Sequence, residues 1–389
     1  MPKLIRLTTS PIAFKYLLKG QMKFMRSHGL EVIMISSDGP DVKDVIAAEE
    51  CAFMPVNMTR AITPVHDMKA INHLVRIFRK ERPDIVHTHT PKAGLVGMIA
   101  ARLAGVPIRL HSNSGTPLIS ATGLKRKMYA LTESLTNSAA TTVLPNSQSL
   151  LNYLVGAGVC KPSKIHLIGQ GSTNGINVQA YRKEIVDATD IEKLKQAISW
   201  NGERFYFLFA GRLLSSKGII ELVSAFKRIN HKFPQASLIL AGNIESHLDA
   251  IPADTIREIG SHPAIHQLGW VTDIRVPMAI SDVLVHPSHR EGFPNVLLQA
   301  GCMHLPVICS DCIGNVDIIT PGKDGIMFPV KDEKALEASM EMAITSPDLI
   351  RSYEAALYQH VTENFDMATV QANLLSFYHS QLSAQKPRP

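Results

Sequence analysis

Cysteine is scarce, five residues in 389, and the count is odd. That excludes a disulfide scaffold and points to a reducing compartment. Aromatic residues make up 6% of the chain, with two tryptophans. That is too little to supply the stacking platforms of a nucleic-acid binder, so no nucleic-acid partner is expected. No uncharged apolar run reaches the roughly 18 residues of a membrane span. The best candidate, Leu95 to Ile108, is broken by Arg102 and Pro107. The opening Met-Pro-Lys-Leu-Ile-Arg-Leu lacks the apolar core of a signal peptide. No Asp-x-Asp occurs anywhere, which removes a common carboxylate pair for metal-bound nucleotides. What remains is 45% hydrophobic and 19% charged, an ordinary globular composition long enough for two domains.

The net charge of +6 hides an asymmetry. Residues 1–185 carry 23 Lys+Arg against 11 Asp+Glu, whereas the remainder carries 17 against 23. A basic half joined to an acidic half suggests that one domain meets something negative, an anionic membrane surface, a diphosphate or, by charge alone, nucleic acid. Lys15, Lys19, Lys23 and Arg26 share one face of a helix expected over Leu17–Ser27. That face reads either as solvated or as membrane-facing.

Short apolar strands alternate with helical stretches throughout. Strands are expected at Leu4–Thr8, Val32–Ser36, Ile85–His87, Arg109–His111, Thr142–Pro145 and Lys164–Ile168, with helices between them. A glycine-rich hinge, Gly169–Gly175, and a helical connector, Tyr181–Asn201, interrupt the pattern. Alternation restarts with the strands Phe205–Ala210, Ser237–Ala241, Ile265–Leu268, Val283–His286 and Pro306–Cys309. The expected fold class is α/β, two doubly wound Rossmann-like domains facing each other across a cleft. The boundaries are 1–175 and 176–365, with a last helix at about 366–385 that crosses back onto the first domain.

Two loops carry the chemistry. Pro287 to Gly301 follows a buried strand, and Pro294 suits the first turn of a helix continuing through Asn295 and Val296. Free N–H groups there suit an anion such as a diphosphate, and Glu291 just before them suits neutral sugar hydroxyls or a helix cap. The second loop, Gly211-Arg-Leu-Leu-Ser-Ser-Lys-Gly218, again leaves a buried strand and opens a helix. Arg212 and Lys217 can converge there on a phosphate, or stand as solvated cations.

Gly211-Arg-Leu…Lys217-Gly218 together with Glu291-Gly292-Phe293-Pro294-Asn295 resembles the donor site of family 4 retaining glycosyltransferases of the GT-B fold. The resemblance covers nearly the whole chain. It implies a hexosyltransferase using a nucleotide sugar, with UDP as the expected nucleotide, and no cofactor or metal. Arg212 and Lys217 would hold the diphosphate and Glu291 the donor sugar. The second acidic position of that pattern is Gln299 here, which hydrogen-bonds ribose hydroxyls without charge assistance. Gly269-Trp-Val-Thr272 resembles the nucleobase segment, with Val271 as backbone partner. His111 matches a histidine that reaches the donor sugar across the cleft.

The first domain is expected to bind the acceptor through Lys15, Lys19, His89 and Lys92. Segments such as Ala121-Thr-Gly-Leu-Lys-Arg-Lys127 resemble enzymes building capsule, O-antigen or other lipid-linked glycans. A polyprenyl-diphosphate-linked acceptor and a cytoplasmic, membrane-peripheral location follow from that resemblance. His87, His89 and His111 as a metal cluster is disfavoured, on the expectation that His87 and His89 face opposite sides of their strand. Cys309-Ser-Asp-Cys312 reads as two small half-buried residues. Rival readings are a nucleotide-sugar epimerase of the same fold and a non-catalytic nucleotide, glycan or nucleic-acid binder.

Overall fold

The structure is a computed structural model describing residues 1–59, 61, 63–245 and 249–385. It divides into two units, Met1–Gly175 with Met367–Pro389, and Ile176–Asp366.

In the first unit six parallel strands form one sheet: β1 (Lys3–Leu7), β2 (Glu31–Ser36), β3 (Ala52–Pro55), β4 (Ile85–His89), β5 (Ile108–Asn113) and β6 (Thr142–Pro145). Their order is β3-β2-β1-β4-β5-β6. The edge strand β3 is unexpected, because its four residues are too few to show a period. Lys164–Ile168 forms no strand, only a bridge between Val143 and Ile165.

The expected helix at Leu17–Ser27 is broken. A single π-helical turn spans Ala13–Leu17 and a separate α-helix spans Gln21–Ser27. Glu49 caps that helix, accepting from the amides of Gly20, Met22 and Lys23 at 2.5, 3.0 and 3.1 Å. Lys15 pairs with Asp41 at 2.6 Å and Asp44 at 2.9 Å. Lys23 and Arg26 both pair with Glu50. The basic face read from the spacing is therefore neither continuous nor uncompensated.

The helix Met367–Ser383 packs in this unit through Leu374 and Tyr378. Its Tyr378 hydroxyl accepts from Arg6 Nη1 at 2.6 Å and lies 2.6 Å from His87 Nδ1. Arg6, buried in the central strand, also reaches Gln21 Oε1 and His89 Nε2, both at 2.5 Å. Burial pushes its guanidinium down, because every hydrogen-bonded partner is neutral. Tyr378→Phe should cost about 1–3 kcal/mol, since it strips a buried donor of its acceptor. Urea melts of the two proteins would show it, and a shift below a few tenths of a kcal/mol would contradict this lock. The Gly169–Gly175 stretch is pinned as well: Asn174 is bonded to Gln21, Gln371 and the Lys19 carbonyl.

The second unit repeats the plan with β7 (Phe205–Ala210), β8 (Ala236–Ala241), β9 (Ile265–Gly269), β10 (Val283–His286), β11 (Val307–Ser310) and β12 (Ile326–Phe328). The order β12-β11-β10-β7-β8-β9 is the same arrangement read from the other edge. The run Phe205–Ala210 is continuously apolar because both sheet faces are covered. Tyr206 and Leu208 enter one core, Phe207 and Phe209 the other. Each fully buried side chain of this size contributes roughly 1.5–3 kcal/mol. The expected connector helix is shorter, Ala188–Ala197, started by Asp187 accepting from the Thr189 amide at 2.7 Å. Three-residue β12, like β3, escaped detection by its length.

Candidate active site

Each sheet reverses its strand order between two neighbours, β1 and β4 in one unit and β7 and β10 in the other. Loops leaving the carboxyl ends of such strands form ligand crevices in doubly wound sheets. Gly211–Gly218 leaves β7 and Pro287–Pro294 leaves β10, so topology alone brings the two motif loops side by side.

Two glycines let the loops close. Gly218 has φ +72°, and a Cβ there would lie 2.1 Å from the Pro287 carbonyl oxygen. Gly314 has φ +90°, and its Cβ would lie 2.8 Å from the Gly292 carbonyl oxygen and 3.1 Å from Glu291 Cβ. The loop carrying Glu291 is clasped between them. Gly218→Ala should cost about 1–3 kcal/mol through strain and a backbone clash. Calorimetry should then show a Tm lower by several degrees, and an unchanged Tm would refute the clasp.

The clasp presses Lys217 against Glu291, and the two form an ion pair. His286 Nε2 lies 3.1 Å from Glu291 Oε1. Burial by itself would push the Glu291 carboxyl up, but His286 and Lys217 beside it hold it well below the usual carboxylate range. Glu291 is therefore a fixed anion. The turn bearing Lys217 is anchored in its own right: the Ser216 amide donates to Asp249 Oδ2 at 2.7 Å and the His289 amide to the Ser216 carbonyl at 2.9 Å. His289 Nε2 in turn meets Glu221 at 2.9 Å. Arg212, half-exposed, pairs with Glu245 at 3.5 Å. The two loop cations thus hold different carboxylates and do not touch each other.

The helix Asn295–Cys302 begins immediately after this loop, with Pro294 as its cap residue. The amides of Asn295 and Val296 have no acceptor among the described residues, which leaves them available to an anion. Phe293 packs edge-on against Phe365 at 5.3 Å and fixes the helix entry. Gln299 donates Nε2 to the Tyr181 hydroxyl at 2.8 Å, leaving its Oε1 as an acceptor. Val271 packs against the unit's core, and neighbouring Trp270 is exposed.

In the first unit, a cavity of about 470 Å³ lies at the ends of β1, β4 and β5, lined by Thr9, Lys92, His111 and Glu133 among others. Thr90, at φ +72°, is held in this strained conformation by Thr9, hydroxyl to hydroxyl at 2.7 Å. His111 Nδ1 meets Thr88 Oγ1 at 2.9 Å, and burial pushes the imidazole down to about 4, so it is neutral at physiological pH. Lys92 is buried and bound to both Asp67 oxygens at 2.7 and 2.6 Å. Lys15 is neutralised as described, and Lys19 is exposed. His89 faces Arg6, not this cavity.

His87 and His89 lie on one side of β4 with ring centroids 4.4 Å apart, correcting the expectation of opposite faces. Residues two apart on a strand project the same way. Among the described residues no group of three or more His, Cys, Asp or Glu side chains is placed to hold a metal. Cys309 and Cys312 are fully buried, not half-buried, and all five cysteines are free thiols. No helix among the described residues is long and apolar enough to cross a membrane. Sequence reasoning missed His286, which reads as the last residue of a buried strand. It also missed Arg6 and Glu133, whose partners are distant in the chain.

Two family profiles match the chain: "Glycosyl transferase 4-like domain" over residues 19–171 and "Glycosyl transferases group 1" over residues 190–360. The capsular polysaccharide biosynthesis glycosyltransferase CapM of Staphylococcus aureus is 30% identical over 366 residues, 94% of each chain. The Escherichia coli UDP-Gal:alpha-D-GlcNAc-diphosphoundecaprenol alpha-1,3-galactosyltransferase is 27% identical, over 80% of this chain and 79% of its own length. A crystal structure of Anabaena Alr3699/HepE in complex with UDP and glucose superposes with a TM-score of 0.80 at 20% identity, covering 98% of this chain and all of that one. The two doubly wound sheets are those of the GT-B fold. The chain belongs to the group 1, family-4-like glycosyltransferases, and its activity is hexosyl transfer.

Proposed function

We propose that this enzyme is a retaining transferase moving a hexose or N-acetylhexosamine from a UDP-sugar to a polyprenyl-diphosphate-linked glycan, during surface-polysaccharide synthesis at the inner face of the cell membrane. The observation that carries the reading is the Lys217–Glu291–His286 cluster, its histidine buried and its ion pair half-buried, beside the free helix amides of Asn295 and Val296. It sets cationic and N–H groups for a diphosphate next to a fixed carboxylate for sugar hydroxyls. The names of the CapM and galactosyltransferase relatives support capsule synthesis, UDP and a lipid-linked acceptor.

In this reading the anomeric carbon–oxygen bond to the diphosphate breaks, and a new one forms to an acceptor hydroxyl on the same face. The acceptor proton passes to the departing phosphate oxygen. Arg212, Lys217 and the two amides offset the charge developing on that oxygen. Glu291 orients the sugar, Gln299 Oε1 accepts from a ribose hydroxyl, and Val271 offers its backbone to the base. Neutral His111 presents a hydrogen-bonding nitrogen at the acceptor cavity. Fixed cations take the place of a divalent ion, so EDTA should leave turnover unchanged.

The test is a panel of nucleotide sugars with lipid-linked acceptors, with and without EDTA, followed by product stereochemistry. Transfer from a UDP-sugar with the anomeric configuration kept supports the reading. A free sugar epimer formed without acceptor would overturn it, and loss of turnover in EDTA would overturn the metal-independent part.

A further inference from the structure

We propose that the outward face of the helix Gly123–Ala139 is the surface by which the enzyme lies on an anionic lipid bilayer. This deepens the proposed action on a lipid-linked acceptor and rests on that reading for its purpose. Glu133, Thr136, Asn137 and Ala139 form the inner side of the helix. Its outer side, where a surface helix ordinarily carries polar residues, exposes Leu124 by 82%, Met128 by 41%, Leu131 by 61% and Leu135 by 46%. At 100° per residue these four positions fall within an arc of about 60°. The result is a straight apolar stripe with solvent above it. Ile12, 44% exposed, lines the same cavity as Tyr129 of this helix, so apolar surface continues onto the segment after β1.

Charge selects the occupant. Lys125 and Lys127 flank the stripe on either side, are exposed, and have no ion-pair partner among the described residues. Arg126 instead turns inward to the Leu118 carbonyl at 2.9 Å and the Tyr153 hydroxyl at 3.3 Å. The helix's one carboxylate, Glu133, is buried on the opposite side. A second copy would set lysines against lysines, whereas an anionic membrane pairs with them. Lys15, Lys23 and Arg26, by contrast, are already neutralised by acidic neighbours. A 17-residue helix is about 25 Å long, enough to lie in the headgroup plane with its apolar stripe dipped into it.

The experiment is co-sedimentation of the full chain with vesicles of phosphatidylglycerol and phosphatidylcholine in equal parts, and with phosphatidylcholine alone. Leu124→Gln/Leu131→Gln should lower the partition coefficient at least about tenfold on the mixed vesicles. Lys125→Gln/Lys127→Gln should lower it about tenfold there and change nothing on phosphatidylcholine alone. Unchanged thermal unfolding shows that the variants fold, and UDP-sugar affinity in solution should stay within about twofold of wild type. Wild type that sediments with neither vesicle, or a leucine variant that sediments like wild type, overturns the proposal. So does a leucine variant that merely turns a dimer into a monomer, which would assign the stripe to a second copy. If wild type binds the mixed vesicles but no UDP-sugar, the donor reading fails and the docking face stands.

Discussion

Glu291→Ala should lower the rate of sugar transfer by about 10³-fold while the protein still melts cooperatively and binds UDP. Glu291 contacts both His286 and Lys217, and the pair holds it ionised. A preorganised charge at a reacting centre supplies the largest single contribution to many enzymes, about 10²–10³ in rate per group removed. The diphosphate contacts assigned to Arg212, Lys217 and the helix amides survive this substitution. UDP affinity should therefore hold or rise, because Lys217 loses a competing partner. Lys217→Ala should show the opposite split, with UDP affinity falling about tenfold or more. Glu291→Gln keeps the shape and removes the charge, and should lie between wild type and Glu291→Ala. Single-turnover kinetics with isothermal titration of UDP would measure both halves. Turnover near the wild-type value in Glu291→Ala would remove Glu291 from the sugar site.

The parts of this site that were legible in the sequence are those whose partners are written close by. Gly211–Gly218 and Glu291–Asn295 each follow a continuous apolar run and precede a helix, so their position at a strand's carboxyl end can be inferred without coordinates. What stayed hidden depends on residues far apart in the chain. Lys92 reads as a free cation until Asp67, 25 residues earlier, is placed on its ammonium group. Lys15 reads as part of a basic face until the chain breaks after Leu17 and Asp41 folds over it. Edge strands β3 and β12 are too short for a period to show. Glu133 was invisible because its neighbours Asn113 and Thr116 come from another element, and burial in their company pushes its carboxyl up. The alternation places a helix between the strands Arg109–His111 and Thr142–Pro145, but the spacing of its apolar residues does not say which side faces outward. Only the packing shows that the side opposite its exposed apolar stripe faces the protein.

The first unit should be acid-labile, and steeply so. His87, His89 and His111 are fully buried in it, and their imidazoles are pushed down by burial first, with the Arg6 cation adding to the effect on His87 and His89. A histidine in the unfolded chain titrates near 6.5, whereas His111 in the fold titrates at about 4 and the other two well below their ordinary value. Below about pH 6.5 the unfolded chain therefore binds more protons than the folded one, and stability falls as pH falls. Each such histidine contributes a slope of about 1.4 kcal/mol per pH unit, so three together give roughly 4 kcal/mol per unit between pH 6 and 5. Against a typical stability of about 5–15 kcal/mol, that removes a large share of it by pH 5. Above about pH 7 these groups are neutral in both states and should leave stability flat. Urea melts followed from pH 7.5 to 5 would give the slope, and His87→Asn, which removes one of the three titrating groups, should lower it by about one third. A stability that does not change across that range would mean that the buried histidines are reached by solvent protons, and that the Arg6–His89–Tyr378 lock opens in solution.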